Sequence, residues 1–97
     1  MAILFLQDKD YVRFRKVGVM TKHLGDIIVF SEILNLPCLS TVEQVGDTIF
    51  NHKQLQEVWK EILQLQKYFS SEHLTLLLTA VEAALENDTY YLVISGD

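Results

Sequence analysis

Apolar positions in the first part of the chain follow the short runs and the alternation that are typical of β-strands. Residues 2–6 form a continuous apolar run, which predicts a strand covered on both faces, and the polar residues 8–10 predict a turn after it. Residues 12–15 alternate apolar and basic side chains, as a half-buried strand does, and residues 17–20 extend that strand. Residues 26–30 are rich in β-branched side chains and predict a third strand.

Residues 31–48 carry the weakest pattern in the chain. Pro37 excludes a long helix there, because proline lacks a backbone N–H and clashes with the preceding helical turn. We expect a short strand near Leu39 and another at residues 48–50, with residues 46–47 forming a turn between them.

The spacing of apolar positions changes after residue 50, to that of helix faces. Residues 51–69 carry an apolar stripe formed by Leu55, Val58, Trp59, Ile62 and Leu63. Asn51 and Gln54 have the spacing of a capping box, which marks the start of this helix. A second helix begins at residues 70–72, where a serine provides the N-cap, and its stripe is formed by Leu74, Leu77, Leu78, Val81 and Leu85. The short connection between them predicts an antiparallel helical hairpin.

The last element is a strand at residues 90–94, built from aromatic and β-branched side chains. Together the elements predict a single α+β domain over residues 1–97. Its sheet is mainly antiparallel, comes from the N-terminal half plus the C-terminal strand, and packs against the helical hairpin. A chain of 97 residues with 49% hydrophobic content suits one core and leaves no room for two.

Net charge narrows the classes of partner. Thirteen acidic and eight basic residues give a net charge of −5, which disfavours direct binding to nucleic acid or to an anionic membrane. Cys38 is the single cysteine, so no internal disulfide can form and a reducing compartment is expected. The N-terminal apolar run is too short for a signal peptide or a membrane span, so we expect a cytoplasmic protein.

No pattern in the sequence indicates catalysis or a cofactor. Three histidines, His23, His52 and His73, lack the spacing of metal ligands, and no pattern provides a base for the Cys38 thiol. Ser95, beside the C-terminus, makes a poor active site because chain ends fray. We therefore expect no metal, no cofactor and no enzymatic activity. Acid–base catalysis by two carboxylates that meet in space is the one alternative that the sequence leaves open.

Charge distribution singles out the C-terminal part of the chain. No lysine or arginine follows Lys67, and acidic residues accumulate there: Glu72, Glu82, Glu86, Asp88 and Asp97. Glu82 and Glu86 are a like-charge i,i+4 pair at the C-terminal end of a helix, where the dipole favours cations, and each unfavourable contact costs roughly 0.3–1 kcal/mol. We interpret these residues as a binding surface for a basic protein partner. The alternative is a solvated acidic face with no role.

Two other sets of residues compete with this surface. Arg13, Arg15 and Lys16 alternate along one predicted strand, where they would either bind phosphate or an acidic protein, or protect a sheet edge from unwanted pairing. The aromatic residues that interfaces often use are Trp59, Phe69, Tyr90 and Tyr91, and at these spacings most are expected in the core.

In size, acidic balance and order of elements, the chain resembles the small immunity proteins of bacterial contact-dependent growth inhibition systems. These proteins neutralise the toxic C-terminal domain of a cell-surface effector. The resemblance includes residues 82–88, which lead into residues 91–94. It implies a non-catalytic inhibitor that binds one cognate toxin, often a nuclease, and covers its active site. Nuclease domains carry basic clefts, which Glu82, Glu86 and Asp88 could occupy as phosphate mimics.

Two alternatives stay open at this point. One is another kind of interaction module, such as a phage-encoded inhibitor or an antitoxin that self-associates as a homodimer. The other is a small enzyme, which would need a concave pocket that holds hydrogen-bonded titratable groups. Partner identity, oligomeric state and strand order are not defined by the sequence.

Overall fold

A computed structural model describes residues 1–96, and Asp97 lies outside the described residues. The strands are β1 (Ala2–Gln7), β2 (Arg13–Met20), β3 (Gly46–Phe50) and β4 (Tyr91–Gly96). The helices are α1 (Leu24–Ile33), α2 (His52–Leu65) and α3 (Glu72–Leu85), with a short 3₁₀ turn at Leu39–Thr41. All strands pair antiparallel in the order β2-β1-β4-β3, which places β2 and β3 at the two edges. The predicted α+β class is confirmed.

One apolar core lies between the helices and one face of the sheet. The sheet contributes alternate residues of β1 and β4, such as Leu4 and Ile94, which are fully buried. The helices contribute the stripes predicted from the sequence, including Leu55 and Leu77. On the opposite sheet face Phe5 is only half-buried, so the helices cover one face of the sheet rather than both.

The helical hairpin follows from its local signals. Asn51 caps α2 and forms the complete capping box with Gln54, and the Ser71 hydroxyl accepts a hydrogen bond from the backbone of α3. Because β3 ends beside the start of β4, where Phe50 pairs with Leu92, α2 must leave that end of the sheet and α3 must return to it. The two helices are therefore antiparallel, as predicted. None of the helices in residues 1–96 combines the length and apolarity needed to cross a membrane.

The predicted third strand at residues 26–30 is wrong, because these residues lie in α1. Ile27 and Ile28 face the core, and the hydroxyl of Ser31 donates to the Ile27 carbonyl one turn earlier, 2.6 Å away. The β-branched content suggested a strand, but packing against the core overrides such propensity. Val29 and Ile33 point away from the core and stay exposed.

Two smaller expectations from the sequence also differ from the structure. The segment near Leu39 forms the 3₁₀ turn rather than a strand, and residues 46–47 open β3 instead of forming a turn. The expected strand at residues 48–50 is confirmed as part of β3. Gly96 pairs with Ala2, so residues 95 and 96 belong to β4.

Candidate functional site: an acidic and aromatic end of the sheet

The C-terminal end of α3 presents three of the acidic residues that the sequence singled out. Glu82, Glu86 and Asp88 are all exposed, and Glu86 is the C-cap residue of the helix. No ion pair to any of them forms within residues 1–96, and the last turn of α3 contains no basic residue. Their charges therefore add to the negative pole of the helix dipole and stay available to a partner.

The sheet register brings a second acidic segment to the same place. Gln7 pairs with Tyr91 on one side and with Arg13 on the other, so the β1–β2 turn lies beside the loop that enters β4. That turn carries Asp8 and Asp10, both outside the core. We call Asp8, Asp10, Glu82, Glu86 and Asp88 together the acidic end.

The structure does not bring all five predicted site residues together. Glu72 is the first residue of α3 and Glu86 follows the last, which separates them by about 20 Å at 1.5 Å per residue. Glu72 therefore belongs to the opposite end of the molecule. Asp97 lies outside the described residues. Of the four predicted site residues that the structure describes, Glu82, Glu86 and Asp88 therefore lie at one end of the molecule.

The β1–β2 turn is built around the side chain of Asp8. Its carboxylate accepts hydrogen bonds from the backbone N–H groups of Asp10 at 2.9 Å and Val12 at 3.0 Å. Between them, Tyr11 has φ of 64°, a left-handed conformation that costs a non-glycine residue roughly 1–2 kcal/mol. The turn fixes Tyr11 in this conformation, and 74% of the residue is exposed.

Two pairs of aromatic side chains connect the β1–β2 turn and β2 to the residues at the start of β4. The Tyr11 ring stacks on that of Tyr91 at a centroid distance of 6.3 Å, and the Phe14 ring contacts that of Tyr90 at 5.0 Å. Phe14 is 44% exposed, while Tyr90 and Tyr91 are half-buried. We call these four residues the aromatic set. Exposed aromatic side chains rimmed by charge are typical of protein-binding surfaces.

The basic residues Arg13, Arg15 and Lys16 lie on β2, an edge strand of the sheet. Arg13 is used within the molecule, because it forms an ion pair with Asp47 at 2.5 Å and lies over the Phe5 ring. Hydrogen bonds from Ser95 and then from Arg13 lower the pKa of Asp47, which keeps this carboxylate ionised. Arg15 remains exposed on the edge strand.

Cys38 has the environment of an inert thiol. Burial, and after it the negative charge of Glu61, raises the pKa of the Cys38 thiol to about 11, which opposes formation of the nucleophilic thiolate. Glu61, only 2% exposed, accepts hydrogen bonds from the backbone N–H groups of Cys38 at 3.1 Å and Leu39 at 2.8 Å. This carboxylate fastens the loop before β3 to α2.

The histidines show one contact that the sequence did not indicate. His52 and His73 begin different helices at opposite ends of the hairpin, as expected, but His23 packs against His73 with ring centroids 5.2 Å apart. His23 bonds Asp26 and His73 bonds Thr21, beside open clefts at the end of the sheet opposite the acidic end. Within residues 1–96 no group of three metal-ligating side chains is assembled.

Comparison of the chain with protein-family models, with curated proteins and with solved structures finds no match in any of the three. The resemblance to immunity proteins therefore rests on the sequence pattern alone.

Proposed function

We propose that this protein is a non-catalytic inhibitor that binds a cognate toxin domain, a basic nuclease, and covers its active site with the acidic end. The observation that supports the proposal is the exposure of Glu82, Glu86 and Asp88 without a cationic partner in the described part of the chain. Such charges disfavour the isolated helix end slightly, and a basic partner would offset that cost.

The inhibition would be electrostatic and steric. A nuclease cleft binds the phosphates of its substrate with lysine and arginine side chains, and carboxylates held on a rigid helix end can take the places of those phosphates. The charges would raise the rate of capture, and the aromatic set would supply contacts that slow dissociation. As part of the same proposal, the protein acts in the cytoplasm, where the free Cys38 thiol stays reduced.

The test uses the product of the neighbouring gene, which the proposal expects to carry the toxin domain. We expect tight 1:1 association by isothermal titration calorimetry, loss of nuclease activity in the complex, and an affinity that falls as salt is raised. The double variant Glu82→Lys with Glu86→Lys should weaken binding by at least tenfold and abolish protection of cells that express the toxin.

The matched control reverses two exposed acids outside the acidic end, Glu32→Lys with Glu43→Lys, which changes the net charge equally. This control should bind within about threefold of wild type. Equal losses in both double variants would mean that total charge, not this surface, attracts the partner. An affinity that does not respond to salt would count against the acidic mechanism.

Self-association is a second candidate, favoured by a specific observation on α1. Val29 is 53% exposed and Ile33 67% exposed on the side of the helix that faces away from the core, and the half-exposed Phe30 ring packs on Phe69 beside them. Contiguous apolar surface of this kind marks contact sites. Multi-angle light scattering would detect a stable dimer, and Ile33→Lys should dissociate it.

A further inference from the structure

We propose that Tyr11 receives an arginine side chain of the partner, which stacks on the exposed ring while carboxylates of the β1–β2 turn hold its guanidinium. This inference rests on the proposed function, since it names the chemistry by which the same surface recognises its partner. It adds a residue that the sequence did not single out.

The first argument is the construction of the turn. Tyr11 adopts φ of 64°, a conformation for which glycine or asparagine is the ordinary choice, and Asp8 holds both flanking residues through its carboxylate. Strain of this kind persists where the surrounding structure enforces it, and it is concentrated at functional sites. Here it has one evident result, which is to hold a large ring out in solvent, 74% exposed.

The second argument is that the ring is oriented. Tyr11 stacks on Tyr91, with an angle of 27° between the ring planes, and the residue stays 74% exposed, which leaves ring surface open to a ligand. Tyr91 belongs to β4, which pairs on both sides within the sheet and gives the stack a rigid base. A fixed aromatic face costs little conformational entropy when a ligand binds to it.

The third argument is charge complementarity, which selects the occupant. The β1–β2 turn and the loop into β4 contain four carboxylates, those of Asp8, Asp10, Glu86 and Asp88, and a single lysine, Lys9. A cation over an aromatic face gains from the ring quadrupole, and arginine also offers a planar fork to a nearby carboxylate. Lysine provides only a point charge, so arginine fits the combination better.

The experiment measures binding of the neighbouring toxin domain to Tyr11→Asn, which removes the ring and relaxes the left-handed backbone. We expect a loss of about tenfold in affinity, which lies between the contributions of an exposed and of a fully desolvated cation–π contact. The matched control is Tyr68→Asn, since Tyr68 is 61% exposed but lies in the loop between α2 and α3, at the other end of the hairpin. It should bind within about twofold of wild type.

A second measurement does not depend on the toxin. We would follow the ring protons of Tyr11 and Tyr91 by NMR while adding a short peptide that contains two arginines and, separately, its lysine and norleucine counterparts. The arginine peptide should shift these protons most, and Tyr11→Asn should remove the response. A norleucine peptide that acts equally well would show that the ring accepts any apolar group and would overturn the inference.

The outcomes separate the two proposals. If wild type binds the toxin and Tyr11→Asn binds within twofold of it, the arginine inference is wrong while the proposed function stands. If the toxin does not bind wild type, the proposed function fails, and the peptide titration decides the inference alone. In that case the absence of an arginine-selective shift at Tyr11 would overturn it.

Discussion

Glu61 provides the sharpest test of how the structure is held together. Its carboxylate lies on α2, is 2% exposed, and accepts the backbone N–H groups of Cys38 and Leu39. Replacing Glu61 by alanine leaves two donors without an acceptor, at least one of them buried. Each buried unsatisfied N–H costs about 1–3 kcal/mol, so we expect the free energy of unfolding to fall by about 3 kcal/mol.

Glu61→Gln tests the contribution of the hydrogen bonds separately from that of side-chain packing. Glutamine keeps the length and one acceptor oxygen, but its amide NH₂ must face the second backbone N–H. The expected loss is about 1–2 kcal/mol, so the order of stability is wild type, then Gln, then Ala. For a chain of this size, a loss of 3 kcal/mol corresponds to a fall in Tm of roughly 10–20 °C.

The assay is urea unfolding followed by the fluorescence of Trp59, the single tryptophan, together with hydrogen exchange at the amides of Cys38 and Leu39. Glu57→Ala is the matched control, because it lies one turn earlier on the same helix and is exposed. It should unfold within about 0.5 kcal/mol of wild type. If Glu61→Ala were equally stable, or if only Glu61→Gln were destabilised, the carboxylate would not fasten the loop as described.

Three further predictions follow from the same contacts. Because the pKa of Cys38 is raised to about 11, alkylation by iodoacetamide at pH 8 should be roughly a hundredfold slower than for a thiol with the ordinary pKa of 9.0. The free energy of unfolding should fall as pH rises from 9 to 11, because the thiol ionises more readily in the unfolded chain. An alkylation rate equal to that of a free thiol would contradict the raised pKa. Glu86→Lys should raise the free energy of unfolding by roughly 0.5–1 kcal/mol in low salt, since it places a cation at the helix C-terminus and pairs with Glu82; thermal unfolding in low and high salt checks this. Gly96→Ala should cost about 2 kcal/mol or more by urea unfolding, because its Cβ would lie 2.1 Å from the backbone oxygen of Gln44.

Local signals explain why the C-terminal half of the fold was predictable from the sequence. The capping box at Asn51 and the two apolar stripes each lie within a single helix, so neighbouring residues are enough to reveal them. The last strand follows these helices directly in the sequence. In α1 the signals conflict. Its apolar residues fit both a strand and a helix, and only packing of Ile27 against the core decides the outcome.

The candidate site shows the same division between local and long-range information. Glu82 and Glu86 could be singled out because a helix defines which charges are unfavourable at its end. Tyr11 could not, because its exposure depends on the Asp8 turn and on the pairing of β1 with β4, which joins residues more than 80 positions apart. Before that pairing is known, a tyrosine beside two aspartates is an ordinary turn residue.

The two parts of the surface would therefore make different contributions to binding. Glu82 and Glu86 lie on a helix end and act through charge, so their substitution should change mainly the association rate and its dependence on salt. Tyr11 acts through contact with a partner side chain, so its loss should change mainly the dissociation rate. A kinetic measurement that found both substitutions acting on the same rate would mean that the acidic end and the aromatic set do not have separate roles.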